Sequence, residues 1–231
     1  MTRQATGIVL QVRYASTRLP GKALETIGPY SIVEHCLRRL VAAGVARVVL
    51  ATTTDPEDDP IVAVARGIGV GVFRGSRNDV LGRYVAAAAA FGFEFVVRAT
   101  GDNPAVDVQA PGRVLSAIRS TGADYVCERG LPRGAGVEAV TVAALRRAAA
   151  CATGADDREH VTSWIKRNED QFRLVESPAP APLERPALRF TVDTRDDLGY
   201  MRSLFARTGR DEPSLRALIE AAGRRMQREV A

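Results

Sequence analysis

The sequence predicts a single α/β domain, a mostly parallel sheet with helices on both faces. Three observations predict it. Apolar runs of strand length recur through the first half of the chain, and helical periods fill the intervals between them. A length of 231 residues suits one such domain better than two. Strands that alternate with helices form parallel sheets buried on both sides, and such sheets bind ligands beyond the carboxyl ends of their strands.

The first strand is read at residues 8–12. Ile32, Val33, Cys36, Leu37, Leu40 and Val41 repeat at helix spacing and predict the first helix. Strands follow at 47–52, 70–73 and 95–99, with helices at 80–90 and 111–120; the second of these opens on a proline, which suits a first turn. The alternation weakens after Ala123. Residues 130–136 (GLPRGAG) read as a flexible loop, and the alternating prolines of 177–182 as an extended segment. Residues 188–192 resume strand character, so 124–190 is read as an elaboration inside one domain spanning 1–231. Helices at 195–207 and 213–230 close the chain, the second with Leu215, Leu218, Ile219 and Met226 on one face.

The composition is 46% apolar and 26% charged, which excludes a disordered chain, a collagen and a coiled coil. No apolar run approaches the ~18 residues of a membrane span. The start of the chain lacks the apolar core and cleavage site of a secretory signal, so a cytoplasmic location without membrane contact is expected. Cys36, Cys127 and Cys151 form no C-x-x-C pair, which disfavours a disulfide framework or a zinc site and fits a reducing cytosol. The net charge of +5 is spread along the chain without aromatic interleaving, so a small anionic substrate is expected rather than a nucleic acid. Of 32 basic residues only Lys22 and Lys166 are lysines, compact point charges among arginine forks.

Lys22 lies in the most unusual loop, residues 11–22 (QVRYASTRLPGK), directly after the first strand. Three cations (Arg13, Arg18, Lys22), two hydroxyls (Ser16, Thr17) and a Pro-Gly turn suit a polyphosphate cradle. The loop is not a Walker A motif, because Ser16 and Ala23 stand where that pattern needs glycine and Ser/Thr. His35 reads as structural, Trp164 as core, and Glu57-Asp58-Asp59 as a solvated acidic helix start.

At this point the chain resembles cytidylyltransferases of the spore-coat polysaccharide type, relatives of the CMP-sugar-acid synthetases. The loop is similar to their R-M-G-S-T-R-L-P-G-K signature. Residues 55–60 (DPEDDP), 73–84 (FRGSRNDVLGRY), 98–104 (RATGDNP), 158–162 (REHVT) and 189–194 (RFTVDT) follow in the family order. The resemblance implies a GT-A-like (Rossmann-like) nucleotidyltransferase fold, CTP as donor and Mg2+ as cofactor. It implies that Arg13, Arg18 and Lys22 grip the triphosphate and act in catalysis. Gln11, Ser16, Thr17, Arg74, Gly75, Ser76, Asp79 and Thr100 would then face the nucleotide, and Asp102 and Asp193 would hold the metal. Arg158 and His160, with Glu159, would face the acceptor, and a homodimer is compatible.

The acceptor loop departs from the family's P-D-G-x-D-x-E. It reads Pro132-Arg133-Gly134-Ala135-Gly136-Val137-Glu138, with both aspartates absent. Carboxylates suit sugar hydroxyls, whereas arginine grips a carboxylate or phosphonate with two parallel bonds. Arg133 and Glu138 are therefore expected at a small anionic acceptor, a phosphonate first and a sugar acid second. A nucleotide-sugar-dependent glycosyltransferase is disfavoured because no D-x-D occurs. A non-catalytic nucleotide-binding protein is disfavoured by the joint presence of Lys22, Asp102 and Asp193.

Overall fold

The computed structural model describes the backbone of residues 5–229 and the side chains of residues 5–223. Val230 and the side chain of Met226, both part of the expected last helix, lie outside the described residues. The chain opens with β1 (Thr6–Gln11) and a small separate hairpin, β2 (Thr26–Ile27) with β3 (Tyr30–Ser31). Then α1 (Ile32–Ala42) leads to β4 (Arg47–Thr53), α2 (Asp59–Gly67) to β5 (Gly71–Gly75), α3 (Val80–Phe91) to β6 (Phe95–Thr100), and α4 (Ala110–Thr121) to β7 (Tyr125–Arg129). The rest is β8 (Glu138–Thr141), α5 (Val142–Cys151), α6 (Ala155–Glu159), α7 (Ser163–Arg167), β9 (Leu174–Pro178), α8 (Arg195–Thr208) and α9 (Leu215–Glu229).

Seven strands form one sheet in the order β5-β4-β1-β6-β8-β7-β9. The block β5-β4-β1-β6 is parallel, as the apolar runs predict. Gly7 to Leu10 of β1 are all buried, because helices cover both faces. One face packs against α1, α2, α4, α8 and α9, the other against α3, α5 and α7. Ser31 caps α1, Asp79 caps α3, and Thr194 caps α8 in a reciprocal box with Asp197.

The second half holds elements that the apolar pattern did not resolve. β8 runs antiparallel to both β6 and β7, and β9 lies parallel to β7. The region 124–190 thus adds three strands to the sheet rather than forming a separate layer. The strand expected at 188–192 is absent. Only an isolated bridge joins Arg133 to Arg189. Phe190 and Val192 are fully buried, so the apolar pattern was real. The backbone, however, bonds to turns. The Arg133 amide donates to the Leu188 carbonyl at 2.9 Å, and the Val192 amide to the Asp102 carbonyl at 2.8 Å. Gly134 permits the approach: at φ 90° it has no Cβ, and one would stand 2.7 Å from the Thr191 amide nitrogen. Extended residues 177–178 end β9, while the following prolines enter a 3-10 turn at Ala181–Leu183.

The connections from β1 run outward to β4 and β5, and the next strand, β6, returns to the other side of β1. That reversal opens a crevice beyond the carboxyl ends of β1 and β6. Gly101 lets the two strand ends meet there. A Cβ on it would lie 2.5 Å from Val12 Cβ and 3.2 Å from the Gln11 carbonyl. Gly101→Ala is expected to destabilise the fold by about 1–3 kcal/mol through overpacking, measured as a fall in the urea midpoint.

Candidate active site

A cleft of about 330 Å³ occupies this crevice. Eleven predicted residues line it: Gln11, Arg13, Ser16, Thr17, Arg18, Lys22, Thr100, Asp102, Glu159, His160 and Asp193. They come from the end of β1, the loop after it, the turn after β6, the end of α6, and the extended segment before α8.

The loop is held from beneath. Asp58, expected in solvent, is 2% exposed. One carboxylate oxygen accepts from the Tyr14 amide at 2.6 Å. The other accepts from the Thr52 hydroxyl at 2.7 Å, the Thr53 amide at 2.9 Å and the Thr53 hydroxyl at 2.6 Å. The expectation failed because a helix start this close to the end of β4 turns one carboxylate inward onto buried donors, while Asp59 stays outside. Burial alone would raise the Asp58 carboxyl; the bonds from Thr53, Tyr14 and Thr52 hold it below the usual range. Farther along, the Gly21 amide donates to the Tyr14 carbonyl at 3.1 Å and closes the loop. Gly21 has φ 72° under the Tyr14 ring, so the turn requires glycine. Ala15 needs no such freedom: among the described residues only Val161 is a non-glycine with positive φ.

At the cleft's core Lys22 is 15% exposed. Its ammonium lies 3.4 Å from Asp102 Oδ2 and 3.1 Å from Asp193 Oδ1, and donates to the Val192 carbonyl at 2.8 Å. Arg18 reaches the same Asp193 oxygen at 2.9 Å, and Arg189 the other at 2.6 Å. Burial would raise the Asp193 carboxyl, but Lys22, then Arg189 and Arg18, hold it below the usual range. Thr194, not Asp193, caps α8, so the Asp193 carboxylate is free for other chemistry. Two carboxylates from distant segments therefore converge on one cation. The ammonium between them shows that the pair draws a cation into this space. Magnesium commonly takes one or two carboxylates and completes its shell with substrate phosphates and water. Among the described residues no group of three His, Cys, Asp or Glu side chains could hold a metal without such help.

Arg74, Gly75, Ser76, Asp79, Arg133, Glu138 and Arg158 lie outside the cleft lining. Arg74 binds the Thr53 and Asp55 carbonyls, each at 2.7 Å, and Asp59 at 2.6 Å. Gly75 ends β5 against the Arg83 side chain. Ser76 Oγ accepts from the Asp79 amide at 3.2 Å, and Asp79 pairs with Arg158 at 3.3 Å while capping α3. The other arm of Arg158 donates to the Ala149 carbonyl at 2.8 Å, tying α6 to α5. Arg133 is exposed. His160 sits exposed at the rim, 3.3 Å from Asp156, and Glu159 pairs with Arg13 at 3.0 Å. His35 and its ring contacts with Tyr30 and Phe205 are structural, as read; Trp164 is half-buried, edge-on to Phe172.

Glu138 anchors a partly buried network that the sequence did not reveal. It accepts from Arg98 at 2.8 Å, Tyr125 at 2.7 Å and Thr162 at 3.0 Å, and it pairs with Lys166. Val161, at φ 53°, turns the chain between α6 and α7 so that Thr162 faces Glu138. Burial would raise the Glu138 carboxyl; Arg98 first, then Lys166, drive it down to about 2. An ordinary glutamate titrates near 4.5. This ionisation thus contributes stability fully above that value and loses it as pH falls toward 2. Acid unfolding followed by circular dichroism is expected to show a steeper fall in Tm from pH 4.5 to 2 for wild type than for Glu138→Gln.

A switch-point cleft with a cationic loop on one wall and paired carboxylates on the other defines a nucleotidyltransferase. The profile of the cytidylyltransferase family matches residues 7–220, and the chain belongs to that family, whose members transfer CMP from CTP. It is 30% identical to the spore coat polysaccharide biosynthesis protein SpsF of Bacillus subtilis over 223 residues, 94% of this chain and 93% of that one. It is 37% identical to the 3-deoxy-manno-octulosonate cytidylyltransferase of Geobacter sulfurreducens over 113 residues, 48% of this chain and 42% of that one. A solved cytidylyltransferase from Leptospira borgpetersenii superposes with a TM-score of 0.91 at 29% identity, covering 97% of this chain and 96% of its own.

Proposed function

We propose that this cytidylyltransferase is Mg2+-dependent and transfers CMP from CTP to a small anionic acceptor, a phosphonate in the first reading, releasing pyrophosphate. The observation that carries the reading is Lys22, held between Asp102 and Asp193 at the mouth of a loop bearing two further cations. An acceptor oxygen attacks the α-phosphorus and the bond to the bridging oxygen breaks, so pyrophosphate leaves with the negative charge. Lys22, Arg13 and Arg18 grip the triphosphate and stabilise that departing charge. Ser16, Thr17, Gln11 and Thr100 orient the nucleotide. Asp102 and Asp193 would hold Mg2+, which when bound screens the phosphates from the incoming anion.

The phosphonate reading is supported by Arg133, an exposed guanidinium whose backbone bridges to Arg189, itself bonded to Asp193. The second reading, a sugar-acid acceptor, is favoured by the relative named for 3-deoxy-manno-octulosonate. The test measures pyrophosphate release with Mg2+ and each of the four nucleoside triphosphates against phosphonates, sugar acids and sugar phosphates. Turnover with CTP and a phosphonate supports the first reading. Turnover with a sugar acid alone moves the assignment to the second, and no turnover with any triphosphate overturns both. With the active acceptor, Arg133→Ala is expected to raise the acceptor KM roughly tenfold; an unchanged KM removes Arg133 from the argument.

A further inference from the structure

The sequence singled out two lysines, and the function uses only Lys22. Lys166 lies behind the opposite end of the cleft. It pairs with Glu138 and stands over the Tyr125 ring, 5.1 Å from its centroid. Glu138 in turn holds Arg98. One carboxylate therefore serves two cations, Lys166 from the exposed side and Arg98 from the covered side, and the three groups keep a net charge of about +1, which favours a bound anion at the covered end.

Arg98 is the member that reaches the cleft. It projects from β6 beside Gln11 of β1 and lines the cavity. Its Nη1 donates to Glu138 at 2.8 Å and its Nε to Gln11 Oε1 at 3.2 Å. Among the described residues, Nη2 donates to no protein acceptor. The guanidinium of this cleft-lining residue is thus fixed at two of its nitrogens by a mostly covered carboxylate and an amide, with the donors of Nη2 left over. Most of the ordering entropy of a long side chain is already spent before a ligand arrives. Arg18 and Lys22, by contrast, are committed to Asp193 and Asp102.

We propose that Arg98 grips the acid group of the acceptor, with Glu138 and Lys166 as positioning residues that aim it and leave it electropositive. The assignment rests on the cytidylyltransferase reading and puts the acceptor's carboxylate or phosphonate at the Gln11 end of the cleft. It also explains why Glu138 is paired with two cations: a neutral residue there would free Arg98 to swing, and a single cation would cancel the field.

The test uses binding without turnover. Methylphosphonate and 3-deoxy-manno-octulosonate are titrated by calorimetry into the protein in Mg2+ and CMP, which is no transfer donor. CTP affinity is measured separately. Arg98→Lys keeps a cation but loses the planar fork, and leaves Glu138 paired with Lys166. It is expected to weaken binding of the anion that wild type takes by roughly tenfold or more, and CTP by a clearly smaller factor through the lost Gln11 contact. Lys166→Met, at a half-exposed position, leaves the Arg98–Glu138 pair intact. It is expected to weaken the same anion several-fold and flatten its salt dependence, with Lys166→Arg restoring both. Anion binding unchanged in Arg98→Lys, a loss confined to CTP, or no binding of either anion by wild type overturns the assignment. Failure of wild type to bind CTP instead overturns the functional reading, and the anion titrations then decide the role of Arg98 alone.

Discussion

Lys22→Ala is expected to lower CTP-dependent pyrophosphate release by about 10²- to 10³-fold or more, and at the same time to tighten divalent-metal binding by the nucleotide-free protein. The two effects have opposite signs because the ammonium has two roles. In the proposed transfer it faces the charge that develops on the leaving pyrophosphate. In the free protein it sits at 3.4 and 3.1 Å from the carboxylates of Asp102 and Asp193, the position a small cation would otherwise take. Removing it leaves Asp102 without that partner, while Asp193 keeps Arg18 and Arg189. Mn2+ titration followed by electron paramagnetic resonance reads the affinity, and pyrophosphate release reads the chemistry. Weaker Mn2+ binding in the variant would mean that Lys22 organises the carboxylates rather than competing for them. An activity loss below tenfold would remove it from the charge-stabilising role. Lys22→Arg is no conservative control, because a planar fork cannot occupy a point between two carboxylates and a carbonyl.

The half of the fold that was legible in the sequence is the half buried on both faces. Parallel strands such as β1 and β4 read as unbroken apolar runs, since every position is covered. The strands β7, β8 and β9 were not legible for the converse reason. β8 has four residues and begins on Glu138, and β9 sits at the sheet edge with polar and proline positions. Residues 188–192 show the limit of periodicity: burial of Phe190 and Val192 is written in the sequence, but the hydrogen-bond partner of the backbone is not. In the site, the cations of the first loop and the carboxylates after β6 and before α8 were legible because each follows a strand-like run. The Glu138 network was not, because its partners come from segments far apart in sequence, and Asp58 was not, because an acidic helix start reads as solvated whether or not one of its carboxylates turns back onto Thr52 and Thr53. The available clue was charge inside strands, Arg98 in β6 and Glu138 in β8, where an unpaired charge could not be buried.

Asp58 is where that illegible part bears most directly on function. Its carboxylate joins the loop after β1 to the end of β4 by four contacts, and one of these donors, the Thr52 hydroxyl, shares its single proton with the Val12 carbonyl at 2.8 Å. Asp58→Asn preserves the shape but not the acceptors. One side of the carboxylate faces the Tyr14 amide and the other faces the Thr53 amide, so an amide side chain must set its NH2 against one backbone donor. The more populated side carries three donors, so the carbonyl is expected to stay there and the Tyr14 bond to be lost. A hydrogen bond to a charged acceptor is worth about 1.5–3 kcal/mol, and this one orders the turn that carries Arg13 and Arg18. The expected result is a CTP KM raised roughly tenfold or more, with a fall in Tm of only a few degrees. Asp58→Ala loses all four bonds and opens a hole, so KM rises and Tm falls by a large amount together. Equal CTP KM in wild type and Asp58→Asn would show that the loop holds its shape through the Gly21–Tyr14 closure alone. A large Tm loss with unchanged KM would make Asp58 a fold residue with no bearing on the nucleotide. The split between KM and Tm therefore decides whether this buried acid serves the sheet or the loop that the sheet presents.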